Sequence, residues 1–210
     1  YSLNGGSGGD ALKGGPGNDS IMGLSGSDTL TGNGGNDLFL VTSGTDEITD
    51  LTTGDILAVS SGATANARNI DVFIATPETE NFGNASLFTN TWRPSGYDAS
   101  IDMTLALGAY TLVGGLGDDA LEGGSGNDNI TGNGGDDTLT GNRGDDTFTG
   151  NAGNDTFNVN SGTDLITDLT TGDILTVSFQ AVANATNIAA FVATNATTNS
   201  GNANLTTNNS

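Results

Sequence analysis

An aspartate returns every nine residues through the stretch GNGGDDTLTGNRGDDTFTGNAGNDTF, residues 132–157. Asp137, Asp146 and Asp155 hold that interval, and Leu139, Phe148 and Phe157 hold it two places later. The full pattern is G-G-x-G-x-D-x-U-x, with U large and apolar. One block carries it four times over residues 5–40, and a second carries it five times over residues 114–158. Weaker copies follow each block and keep the register at Asp46 and Asp55, and again at Asp164 and Asp173. A short strict period confines the chain to stacked, repetitive architectures, because one such unit cannot bury an apolar face alone.

A longer period is superposed on the short one. SGTDEITDLTTGDIL, residues 43–57, returns as SGTDLITDLTTGDIL, residues 161–175, an offset of 118. ATANARNIDVFIAT, residues 63–76, returns as AVANATNIAAFVAT, residues 181–194. The chain thus reads as one complete unit and most of another, excised from a longer tandem array. The expected divisions are residues 1–58 (first block and its tail), 59–109 (spacer or cap), 110–176 (second block and tail) and 177–210 (incomplete second spacer).

The spacer is less legible. Residues 70–74, IDVFI, suit either a strand or one face of a short helix. Ile101, Met103, Leu105 and Leu107 alternate with smaller or polar residues, a strand signal that Tyr110 and Leu112 extend. Strands that continue or cap the solenoid are expected, because an open end exposes core and edge. Trp92, Arg93 and Tyr97 receive no role from the sequence.

Charge and composition narrow the function. The formal charge is −21, with only four Lys and Arg. That argues against nucleic acid and anionic lipid and in favour of cations. No cysteine is present, so disulfides and thiolate metal sites are excluded; no histidine is present, which removes the usual zinc ligand and the usual general base. No apolar run could span a membrane. The 34 glycines and the acidity resemble a disordered chain, so order in the absence of a ligand is left open.

Physically, glycines at positions 1, 2 and 4 permit tight backbone curvature and leave carbonyls exposed. The residues around U suit a very short strand with one large side chain facing inward. Two nonapeptides then make one turn, and each repeat stacks on the repeat two along: Asp10 over Asp28, Asp19 over Asp37, Asp119 over Asp137. One buried Leu or Phe per nine residues offsets only part of the entropy of ordering them. Stacked carboxylates add repulsion. A hard divalent cation that takes six or more oxygens answers both problems; calcium fits best, magnesium is a poor second, and soft metals lack ligands.

These motifs resemble the RTX family, the calcium-binding nonapeptide repeats of haemolysin-type secreted bacterial proteins. The resemblance implies an all-β fold, a right-handed parallel β-roll or β-solenoid, with β-rich segments between blocks. It implies that an ion takes the carbonyls at positions 2 and 4 and the Asp at 6 from one repeat. The repeat two along adds its carbonyls at 1 and 3 and its own Asp. Carried onto this chain, one ion would lie among Gly6, Gly8, Asp10, Gly23, Ser25 and Asp28, and another among Gly15, Gly17, Asp19, Gly32, Gly34 and Asp37. In the second block the sets are Gly115, Gly117, Asp119 with Gly132, Gly134, Asp137; Gly124, Gly126, Asp128 with Gly141, Arg143, Asp146; and Asn133, Gly135, Asp137 with Gly150, Ala152, Asp155. Sets ending at Asp46, Asp164, Asp55 or Asp173 lack the first glycines. The expected total is about five sites and up to about eight. Leu24, Asn33, Asn133, Asn142 and Asn151 depart from glycine at position 2, which is tolerable if only the carbonyl binds.

No enzymatic activity is expected. Residues 5–9 match G-x-S-x-G, but no histidine exists to activate Ser7. The expected role is a calcium-dependent structural segment of a secreted or cell-surface bacterial protein: an S-layer, filament or adhesin array. The family implies export by a type I route and folding outside the cell. The expected partners are calcium ions and further copies of the same unit. The alternative is an accessory RTX domain of a secreted enzyme or toxin. A minor alternative, ice binding, would use an outward Thr and Asn ladder at Thr31, Thr131, Thr140 and Thr149, although these residues straddle the loop start.

Overall fold

The computed structural model describes residues 1–89, 98–188, 191, 193 and 197–207. Trp92, Arg93 and Tyr97 lie outside the described residues, as do Ala189, Ala190 and Val192 of the second spacer. Every described strand pairing is parallel, and no helix occurs among the described residues. The chain coils into a β-solenoid of about ten turns, consistent with a β-roll. One wall is a single sheet of 11 strands that runs through both blocks and both spacers. The opposite side is formed by a 5-stranded sheet in the first block and a 7-stranded sheet in the second.

In the blocks each strand lies over the strand 18 residues earlier, two nonapeptides per turn. The short strands come from the residues around U, which alternate inward and outward as a strand demands. Ile21, Leu30, Phe39, Leu139, Phe148 and Phe157 all point inward and are fully buried. They stack into one continuous apolar column, with the Phe148 and Phe157 rings edge to face at 6.3 Å between centroids.

In the spacer the coil continues but its cross-section changes. Thr64 pairs with Asn84, and Ala85 with Tyr110, so the turns are longer than in the blocks. Thr64–Ile70 joins the long sheet, Val72–Ile74 the 7-stranded sheet and Glu80–Asn81 the 5-stranded sheet. The spacer turn from Thr64 to Asn81 therefore visits three sheets where a block turn visits two. Without G-G-x-G-x-D the chain cannot fold back in a tight loop, and a third strand spans the gap.

Residues 70–74 hold no helix but a corner: Ile70 ends one strand, Asp71 bends, and Val72–Ile74 begins the next, with Ile70 and Phe73 facing the core and Val72 and Ile74 outward. The expected strand through Leu107 stops early. Ser100–Asp102 is extended, but Asp102 Oδ1 accepts bonds from the Thr104 N–H at 2.9 Å and the Thr104 hydroxyl at 2.6 Å. That side-chain turn bends the chain, so Met103 is buried while Leu105 and Leu107 are about half-exposed, at 55% and 51%. Tyr110–Val113 resumes the long sheet with Tyr110 and Leu112 inside.

Candidate metal centre

The aspartates at position 6 close each loop from within. From Asp19 to Asp55, and from Asp119 to Asp173, none is more than 4% exposed. From Asp28 and from Asp137 onward, Oδ1 accepts the backbone N–H of the aspartate 18 residues earlier, whereas Asp119 and Asp128 accept from Ala99 and Tyr110. Asp28 takes it from Asp10 at 2.8 Å, Asp37 from Asp19 at 2.9 Å, Asp137 from Asp119 at 2.7 Å, Asp146 from Asp128 at 2.8 Å and Asp155 from Asp137 at 2.9 Å. Asp46, Asp55, Asp164 and Asp173 extend the same ladder through the degenerate tails.

The second oxygen, Oδ2, enters the loop of its own repeat. A Cβ on Gly132 would lie 2.1 Å from Asp137 Oδ2, and one on Gly141 would lie 1.9 Å from Asp146 Oδ2. No side chain fits there, which is why position 1 is glycine in every intact repeat. What Oδ2 meets depends on position 2. In the Gly-Gly loops, the N–H groups of Gly15, Gly115 and Gly124 donate to Asp19, Asp119 and Asp128 at 2.6, 2.6 and 2.8 Å. Where position 2 is Leu24, Asn33, Asn133, Asn142 or Asn151, that residue adopts the left-handed conformation, with φ between 68° and 79°. Asn suits this region and adds a bond: the Asn33, Asn133 and Asn142 amides donate to the Gly14, Gly114 and Gly123 carbonyls at 2.8–2.9 Å. In three of these loops Oδ2 is buried without a partner, at Asp28, Asp137 and Asp146; the tail residues Asp46 and Asp164 share that condition.

Burial raises six of the ladder carboxyls well above the usual range. Asp128, Asp137 and Asp164 are pushed up to about 7, and Asp46, Asp146 and Asp155 to about 6. Desolvation is the main cause in each, and neighbouring carboxylates add to it.

The five sequence-derived sets are each brought together across adjacent turns, and part of their carbonyl complement already bridges those turns. The Gly15, Gly115 and Gly124 carbonyls accept from the Gly34, Gly134 and Arg143 N–H groups at 3.1–3.3 Å. In the other two sets Gly8 and Gly135 donate to the Ser25 and Ala152 carbonyls at 2.9 Å. The Gly6 carbonyl accepts the Ser25 hydroxyl at 3.3 Å. Each such oxygen keeps a second lone pair. Gly17, Gly117 and Gly126 place their carbonyl groups against the glycines of the next turn, Gly35, Gly135 and Gly144. Gly23, Gly32 and Gly150 are the position-1 glycines that Oδ2 occludes in their loops.

The donor set tests the ion directly. All available donors are oxygens, and the orphaned Oδ2 atoms need a positive partner inside the loop. Among the described residues no group of three or more Asp, Glu, His or Cys converges. An ion held here would draw on the stacked aspartates and complete its shell with carbonyls, a donor set that suits a large, oxygen-seeking cation.

Two functional residues lie outside the nonapeptide pattern. Asp50 accepts the N–H groups of Gly32 and Asn33 at 2.9 and 2.7 Å, and Asp168 accepts those of Gly150 and Asn151 at the same distances. Each caps the last intact loop of its block. The signal was present in the repeated ITDLTTGDIL, where an extra aspartate precedes the tail. A second ladder follows position 5 on the outside, where Asp118 and Asp136 accept the N–H of Asp136 and Asn154 at 2.8 Å.

No curated protein matches this sequence. The RTX calcium-binding nonapeptide repeat (4 copies) matches residues 4–39, 111–139 and 131–166, which hold most of the aspartate ladders, while Asp46, Asp55 and Asp173 lie beyond the matched residues. Both nonapeptide blocks of this chain belong to the RTX calcium-binding repeat family.

Proposed function

We propose that this segment is a structural, non-catalytic module that is unfolded where calcium is scarce and folds into a stiff roll outside the cell. It would form part of a secreted or surface-borne bacterial assembly such as an S-layer, filament or adhesin array. The observation that carries the reading is the row of buried, unpartnered oxygens on Asp28, Asp46, Asp137, Asp146 and Asp164. Each of these carboxylates has Oδ1 hydrogen-bonded but Oδ2 buried without a partner, a costly arrangement when ionised that a cation in the loops would relieve. The five sets above are the proposed ligands. The ion supplies positive charge that neutralises opposed aspartates and ties one turn to the next. Recurrence of the whole unit at 118 residues supports an array over a single accessory module.

Circular dichroism during calcium titration tests this. The spectrum is expected to pass from coil to β near millimolar calcium, reverse with chelator and ignore magnesium at the same concentration. A β-rich spectrum that is indifferent to calcium refutes it.

A further inference from the structure

A nonapeptide is half a turn of the roll, and the half-turns of a block are built alike. Asp137 Oδ1 accepts from the Asp119 N–H at 2.7 Å on one edge, and Asp146 Oδ1 from the Asp128 N–H at 2.8 Å on the other. The inward column alternates between walls without changing character. Ile130 and Phe148 lie on the 11-stranded sheet, Leu139 and Phe157 on the 7-stranded sheet, and all are fully buried. Within a block the two walls are therefore equivalent.

The spacers are not symmetric in this way. Thr64–Ile70 and Asn84–Thr89 of the first, and Val182–Ile188 and Asn202–Thr207 of the second, all lie in the 11-stranded sheet. Only the two- and three-residue strands Val72–Ile74, Glu80–Asn81, Ser100–Asp102 and Thr198–Asn199 fill the other side. A spacer thus has a front and a back.

Two equivalent strands show what joins them. YSLNGG at Tyr1 matches YTLVGG at Tyr110, and Leu3 and Leu112 both turn toward the core. Yet Ser2–Ser7 lies in the 5-stranded sheet and Tyr110–Val113 in the 11-stranded sheet. The tail strands that follow, Thr45–Ile48 and Thr163–Ile166, share the 11-stranded sheet. Four nonapeptides separate the first pair and five the second. An even count crosses to the opposite wall, and an odd count returns to the same one.

We infer that the number of nonapeptides in a block is a rotational setting: it decides on which side of the roll the following spacer stands. The five of the second block keep both spacers of this chain facing one way. Largely exposed Phe82 and Phe179 consequently share an edge, each just ahead of a strand of the 11-stranded sheet. Adding or removing one nonapeptide turns the second spacer by half a turn. Removing two slides it along the axis without turning it. The inference rests on the proposed function only in needing a roll folded in calcium.

Distances between two nitroxide labels, measured by pulsed spin resonance on the full chain in millimolar calcium, test this. No native cysteine competes, so Asn84→Cys and Asn202→Cys carry the labels at equivalent exposed positions. Six strand steps of the 11-stranded sheet separate them, or ~29 Å at ~4.8 Å a step. Deleting residues 132–149 is expected to shorten the distance by one step. Deleting residues 132–140 alone is expected to lengthen it, although the chain loses nine residues, because the second label then lies across two sheets ~10 Å apart. Inserting a second copy of residues 132–140 after Thr140 is expected to lengthen it by more than one step. A single deletion that gives the same short distance as the double one shows that the spacer keeps its wall and overturns the inference. Failure of both one-nonapeptide variants to fold beside a folded parent also overturns it, because half-turns are then not interchangeable. Dichroism on the same samples separates the two ideas: a parent that stays coil-like in calcium refutes the calcium reading and removes the roll that the rotation needs.

Discussion

Removing calcium and then lowering the pH separates the cost of the ladders from every other part of the fold. Three buried aspartates are raised to about 7 and three to about 6, from an ordinary value of 3.8. At ~1.4 kcal/mol per pH unit, ionising such a carboxyl in the calcium-free roll costs ~3–4 kcal/mol. Neighbours in one stack share their surroundings, so the six costs do not simply add, but all act in the same direction. Net stabilities of folded domains are only ~5–15 kcal/mol, so the calcium-free chain is expected to be unfolded at pH 8. Since the folded state holds these protons more tightly than the unfolded state, their stabilisation is complete below about 3.8. It is lost as pH rises toward 7. Calcium-free protein, prepared on chelating resin, should therefore regain β-signal between pH 8 and pH 5.5, still above the pI of 4.1 where it stays soluble. Far-ultraviolet dichroism with a urea titration at each pH measures this. A cooperative β-rich transition at pH 8 without calcium, or the same unfolded spectrum at both pH values, would refute the reasoning.

Two further predictions follow from the loops. Gly132→Ala places a methyl 2.1 Å from Asp137 Oδ2 and is expected to raise the calcium midpoint at least tenfold, whereas Gly134→Ala meets nothing nearer than Leu116 Cδ2 at 3.5 Å and should leave it unchanged; calcium titration by dichroism compares them. Asn133 sits at φ 79° and its amide holds the Gly114 carbonyl, so Asn133→Ala is expected to lose ~1–2 kcal/mol in urea, and Asn133→Gly, which keeps the backbone conformation, a smaller amount. Equal losses for the two would show that the left-handed backbone is not what the asparagine provides.

Much of the molecule was legible because its periods map directly onto contacts. An interval of nine fixes one strand and one loop, and twice nine sets each Asp beneath its partner, so the stack of Asp119, Asp137 and Asp155 could be drawn from spacing alone. The same arithmetic located the inward column of Leu139 and Phe157. The spacer resisted, because Ile101, Met103, Leu105 and Leu107 alternate as a strand does while Asp102 bends the chain onto Thr104 after one more residue. Periodicity records which residues are apolar, not where a side chain interrupts the backbone.

Composition and repetition by themselves determined that this chain stacks short parallel strands around glycine loops and must find positive charge for its aspartates. Only the tertiary structure decided which oxygens are left without a partner and that Asp50 and Asp168 cap the last loops. The reason is physical: a local repeat dictates what each unit does to its nearest neighbours. Capping by Asp50 and Asp168 arises between residues 17 or 18 apart, where only the closed coil brings them together.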